Sequence, residues 1–136
     1  MWRVYAILSA VFAALTAIFA KIGVKDVDSN LATAIRTTVI LLLTWSIVFF
    51  SSKPIALHDI STKTWVFLVL SGVATGLSWL CYFKAIQLGD VCRVAPIDKL
   101  SVVFIILLSA LFLHETITWK IAIGACLIAL GSILML

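Results

Sequence analysis

Five apolar stretches, each close to the length of a bilayer crossing, occupy nearly all of this 136-residue chain. They run over about 2–20, 31–50, 65–83, 91–113 and 119–136. A helix rises 1.5 Å per residue, so roughly 20 apolar residues cross a hydrocarbon core of ~30 Å. Backbone polar groups inside that core have no water to bond to, and a helix satisfies them within itself. The expected fold class is therefore all-α integral membrane, with five transmembrane helices in one domain, 1–136. Composition agrees, at 64% apolar and 12% charged, against about 45–50% and 25% in soluble domains. A cell (inner or plasma) membrane location follows. The first stretch is too long for the 7–15-residue core of a signal peptide, and more membrane follows it, so it reads as a retained helix.

Polar breaks mark the connections. Lys21-Ile22-Gly23 ends the first span, and Ser51-Ser52-Lys53-Pro54 ends the second. Gln87-Leu88-Gly89-Asp90 separates the third from the fourth, and His114-Glu115-Thr116 the fourth from the fifth. Short connections make neighbouring helices antiparallel. Trp2, Trp65 and Trp119 each open a span from the N-terminal side, as interfacial anchors do.

Loop charge sets the orientation of most membrane proteins through an excess of Lys and Arg on one side. Here Arg3, Lys53, Lys63 and Lys120 fall on the N-terminal side, and Lys21, Lys25, Lys84 and Arg93 on the other. The balance predicts either insertion in both orientations, with an inverted copy as partner, or orientation by another protein. These scattered cations give the net charge of +4 without forming a patch, so no nucleic-acid partner is expected.

Three charges lie within spans: Arg36, Asp98 and Lys99. Ionisable groups there are costly unless paired or hydrated, which makes them candidates for function. Arg36 and Asp98 sit at similar depth from the same face, so an ion pair between them is geometrically possible. Lys99 projects about 100° away from Asp98 on a regular helix and is expected to pair poorly with it. Pro96 removes one helical hydrogen bond and frees a carbonyl next to both charges, predicting a helix break and a polar notch. The in-span charges sum to +1 per chain, which favours anionic or zwitterionic ligands.

The third span carries Ser71, Thr75, Ser78 and Tyr82 at helical spacing, and with Trp79 they are candidates to line a cavity. Gly72 and Gly76 form a GxxxG pair, and Gly124 and Gly131 belong to a run of small residues in the last span; all four suggest close helix packing or dimerisation. Cys81, Cys92 and Cys126 lack metal-ligand spacing and read as small apolar residues. His58 and His114 read as surface histidines. No phosphate-binding loop, metal cluster or nucleophile–base pair is evident, so neither a cofactor nor enzyme activity is expected.

Several motifs act together. They are Tyr82-Phe83-Lys84-Ala85 with Gly89, Ala95-Pro96-Ile97-Asp98-Lys99-Leu100-Ser101, Leu113-His114-Glu115-Thr116-Ile117-Thr118, and Gly124-Ala125-Cys126-Leu127-Ile128-Ala129-Leu130-Gly131. With Phe19-Ala20-Lys21-Ile22-Gly23 and Arg36, their order resembles the EamA-type domain of the drug/metabolite transporter superfamily across the whole chain. The resemblance implies half of a ten-helix inverted-repeat transporter. A one-unit chain would then work as an antiparallel homodimer in contact with membrane lipid. It implies secondary-active export or exchange of small metabolites, amino acids or drug-like molecules by alternating access, driven by protons or by exchange. The related four-helix small multidrug-resistance proteins carry a membrane-embedded Glu in their first helix, whereas this chain has Phe12-Ala13-Ala14 there. The alternatives are a dual-topology ion channel, a lipid-carrier flippase and a non-transporting accessory subunit.

Overall fold

The computed structural model describes residues 1–51 and 60–135. Lys53, Pro54, His58 and Asp59 lie outside the described residues. Among the described residues six helices follow in order: α1 (Trp2–Gly23), α2 (Ser29–Phe50), α3 (Thr62–Leu88), α4 (Val91–Asp98), α5 (Ser101–Phe112) and α6 (Trp119–Leu134). No strand occurs among the described residues. α1, α2, α3 and the combined α4–α5 segment are each long and apolar enough to cross a bilayer, and α6 is a shorter apolar helix. The chain is thus an all-helical, multi-pass membrane protein.

Local chemistry sets the helix ends. The Asp28 carboxylate accepts from the backbone N–H groups of Asn30 (2.9 Å) and Leu31 (3.2 Å), capping α2. Within α2, Thr33, Thr37 and Ser46 donate to carbonyls four residues back at 2.7–2.8 Å. Hydroxyls satisfied in this way carry little cost on an apolar helix. Ser61 Oγ accepts from the N–H of Thr64 and starts α3. α3 outruns its expected 65–83 range at both ends. Its 27 residues span about 40 Å, so the helix continues past the hydrocarbon boundary with Lys84 and Gln87 still in helical register.

The fourth apolar stretch, expected as one span over 91–113, is broken. α4 ends at Asp98 and α5 begins at Ser101. Pro96 has no N–H to give, and the bonds around the break shorten to three-residue spacing. Lys99 N–H donates to Pro96 O (3.1 Å), Leu100 to Ile97 O (3.0 Å), Val102 to Lys99 O (3.0 Å) and Val103 to Leu100 O (3.0 Å). This is the tighter 3₁₀ pattern. The last helix, expected to reach 136, stops at Leu134 after 16 residues, about 24 Å.

The chain divides into two units, one of Met1–Lys21 with Leu88–Leu136 and one of Ile22–Gln87. In the first, α6 packs against α4 and α5, and Lys21 Nζ donates to Gly89 O (2.8 Å). In the second, Gln87 Nε2 donates to Val27 O (2.9 Å) and Val24 O (3.3 Å), tying the end of α3 to the turn before α2. Burial there gathers at the same end, on Val24, Ser29, Thr33, Phe83 and Ile86. Toward Phe50 and Trp65 the apolar side chains are exposed. Even in the most covered of the four long spans, 11% of the apolar stretch is buried. Faces this apolar need lipid or another chain against them.

Candidate functional site

Sequence reasoning set Arg36 against Asp98; the structure gives each a local partner. Arg36 lies seven residues into α2, about 10 Å along the helix. Trp79 and Phe83 are four residues apart on α3 and so share a face. Arg36 Cζ lies 5.1 Å from the Trp79 ring centroid and 4.2 Å from that of Phe83, within cation–π range of both. Phe83 is buried and meets Tyr82 edge-on at 6.0 Å. Phe83 was missed as a site residue because an apolar residue in an apolar span gives no sign of its role.

Asp98 and Lys99 form an ion pair at 3.2 Å, contrary to the poor pairing expected of adjacent residues. That expectation assumed a continuous helix. Asp98 is the last residue of α4 and Lys99 its cap, and the 3₁₀ turn at this point lets the two side chains meet. The pair is not buried by this chain, with Lys99 58% and Asp98 36% exposed, so it is not a clamp closed within the chain.

The break is pinned by a residue that sequence reasoning took only as part of a small-residue run. Ser132 on α6 is buried, and its hydroxyl donates to Pro96 O at 2.8 Å. Proline therefore perturbs the helix, and α6 takes up one of the carbonyls at the break. Beside this clasp lies an open groove of about 490 Å³, lined by Ala95, Pro96, Lys99, Leu127, Gly131 and Ser132 among others. Its walls are mostly apolar, and among the described residues that line it Lys99 carries the one charge.

The remaining candidates divide. Thr75 is exposed, and its hydroxyl donates to Ser71 O at 2.8 Å, so its own helix satisfies it. Gly72, Gly76, Gly124 and Gly131 do not mark close approaches within the chain: a Cβ at any of them would meet nothing within 4 Å. A small-residue face does not specify which chain fills it, and dimerisation through these glycines needs a second copy. Glu115, read as a plain loop residue, turns back onto α5, where its carboxylate accepts a hydrogen bond from the Ser109 hydroxyl. His114 makes that turn with a φ of 54°.

The architecture defines a multi-pass helical membrane protein with charges and a proline break inside its spans. The EamA-like transporter family model matches residues 1–136, and the chain belongs to that family. It is 48% identical over 134 residues to a Sinorhizobium sp. protein named as an uncharacterized transporter in the cobO 3' region, covering 98% of this chain and 95% of that one. It is 29% identical over 129 residues to a Methanocaldococcus jannaschii protein whose name states no function, covering 95% of this chain and 91% of that one. No solved structure matches the chain significantly.

Proposed function

We propose that this membrane transporter is a secondary-active exporter or exchanger of small metabolites, amino acids or drug-like molecules, working by alternating access as an antiparallel homodimer. The observation that carries the reading is the interrupted span. Transporters place ligand sites where helices are discontinuous, because loosened backbone and charge are tolerated at depth only beside a cavity or buried protein. The α4–α5 break lies eight residues, about 12 Å, from the start of its span. It holds the accessible Asp98–Lys99 pair and faces the groove under α6. In this reading Pro96 lets the span bend, Asp98 exchanges a proton or releases Lys99, and Arg36 on α2, with Trp79, Tyr82 and Thr75 on α3, meets the substrate.

The homodimer draws on two supports. Loop cations divide four to four, which leaves both orientations open to insertion. The Sinorhizobium relative is also about one unit in length, since this chain covers 95% of it. Gly124 and Gly131, with open space over them, offer a second copy a smooth face on α6.

The test is flux in proteoliposomes. Asp98→Asn and Lys99→Ala are each expected to lower substrate flux at least tenfold while the dimer persists on size exclusion. Unchanged flux in both removes the break from the mechanism. A reporter fused to the C-terminus should read on both membrane faces, and a reading on one face alone removes dual insertion.

A further inference from the structure

The end of α3 and the turn before α2 meet in a junction that is held from one side and opposed from the other. Trp79, Phe83 and Gln87 recur every four residues, so they form one stripe along α3. Phe83 is buried on that stripe. Gln87, one turn further on, sends both N–H groups of its amide to the turn, at 2.9 Å to Val27 O and 3.3 Å to Val24 O. Val24 and Ile86 are buried at the same end. Two donated hydrogen bonds and this apolar cover favour the closed junction.

Ser29 works against it. It lies two residues beyond Val27 and is 1% exposed, and its hydroxyl has no hydrogen-bond partner among the described residues. Serine commonly serves as a helix N-cap, but Asp28 holds that place on α2, accepting from the Asn30 and Leu31 N–H groups. The Ser29 hydroxyl therefore gives the helix end nothing. Sealing a hydroxyl away from water without a partner disfavours the state that seals it. Alanine would fill the same place without that cost.

We propose that Gln87 and the 24–27 turn form a latch closing this end of the α2–α3 pair, and that Ser29 keeps the latch weak enough to open. Opening breaks the two amide bonds and returns the Ser29 hydroxyl to water, so the two states stay close in free energy, as a gate requires. This deepens the alternating-access reading above by naming a gate at one membrane face.

The experiment measures thiol labelling by N-ethylmaleimide on the full chain in proteoliposomes, with Cys81, Cys92 and Cys126 replaced by alanine. Reporter thiols are introduced singly by Ser29→Cys or Val24→Cys at buried positions and by Asn30→Cys at an exposed one. The buried thiols should label at least tenfold more slowly than the exposed one, at a rate set by the open fraction. Gln87→Leu keeps the bulk and removes both donors, and should speed labelling of the buried thiols tenfold or more while leaving Asn30→Cys unchanged. Gln87→Asn, too short to span the junction, carries the test if the leucine variant fails to fold. Ser29→Ala should slow labelling of the Val24→Cys thiol about fivefold or more. Buried thiols that label as fast as the exposed one, rates unmoved by either Gln87 variant, or a Ser29→Ala variant that does not slow labelling overturns the latch. Labelling needs no substrate, so the two readings fail separately. A protein that moves solutes with labelling unmoved loses only the latch. One whose labelling follows the latch but which moves no solute loses the transporter mechanism.

Discussion

Arg36 on α2 and Lys99 after α4 are both cations within apolar segments, yet their surroundings have little in common. Arg36 rests on the rings of Trp79 and Phe83, on an unbroken helix, with Phe83 fully covered. Lys99 meets a carboxylate at a point where the helix has come apart, and both partners remain exposed. The ring arrangement needs rigidity, because a cation over two rings four residues apart depends on the helical register of both. The ion-pair arrangement needs irregularity, because adjacent side chains meet only when the backbone leaves the helix. A rigid charge suits recognition, and a charge at a bend suits movement.

The largest effect that would break this contrast lies in the ring arrangement. Phe83→Ala removes a buried ring and is expected to cost about 3 kcal/mol or more, read as the midpoint of denaturant unfolding in detergent. Phe83→Leu separates the two contributions, since it keeps most of the apolar volume and loses the π-face. If the guanidinium depends on that face, Phe83→Leu still costs on the order of 1 kcal/mol, and Arg36→Gln in the same background adds almost nothing. A Leu variant as stable as the wild type would reduce Phe83 to packing and dissolve the ring arrangement.

The next effect runs in the opposite direction. A proline inside a helix is worth about 3 kcal/mol less than alanine. Pro96→Ala restores the missing donor and should let α4 and α5 approach one helix. Part of the gain is offset by loss of the Ser132 clasp, so the expected result is a variant more stable by about 1–2 kcal/mol with slower flux. Stability and flux falling together would show that the break is a packing feature. Stability rising while flux falls would show that the break is kept for motion.

Much of this contrast is legible in the sequence, and the parts that are not have identifiable causes. Arg36, Asp98, Lys99 and Pro96 stand out because charge and proline are conspicuous in apolar spans. Phe83 and Ser132 do not, since an aromatic and a hydroxyl residue are ordinary in a membrane helix and acquire meaning only from what they face. The Asp98–Lys99 pair was hidden because the angle between adjacent residues was taken from a regular helix, which Pro96 ends. The ends of α3 were misplaced because polarity marks where the hydrocarbon stops, whereas a helix continues until its hydrogen bonds lack partners. Lys84 and Gln87 are outside the apolar stretch but inside the helix. The glycines are legible only in part: small residues mark a face for close approach, and the sequence does not say whether the helix that fills it belongs to this chain or to a second copy.

The smallest expected effect is the most specific to the break. Ser132 is buried at 4% exposure, and its hydroxyl reaches Pro96 O across helices at 2.8 Å. Interhelical hydrogen bonds of this kind in membrane proteins average about 0.6 kcal/mol and reach about 1.7. Ser132→Ala should therefore lower stability by about 0.5–1.5 kcal/mol, while leaving a cavity too small to disturb packing. The double-mutant cycle with Pro96→Ala is the sharper measurement, because the alanine backbone offers N–H and C=O groups the means to close their own ladder. If Ser132 serves the broken helix, its removal costs energy in the wild-type background and almost none once Pro96 is gone. Equal costs in both backgrounds would mean that Ser132 binds α4 whatever its conformation, and that α6 is a fixed strut and not a clasp tuned to the bend.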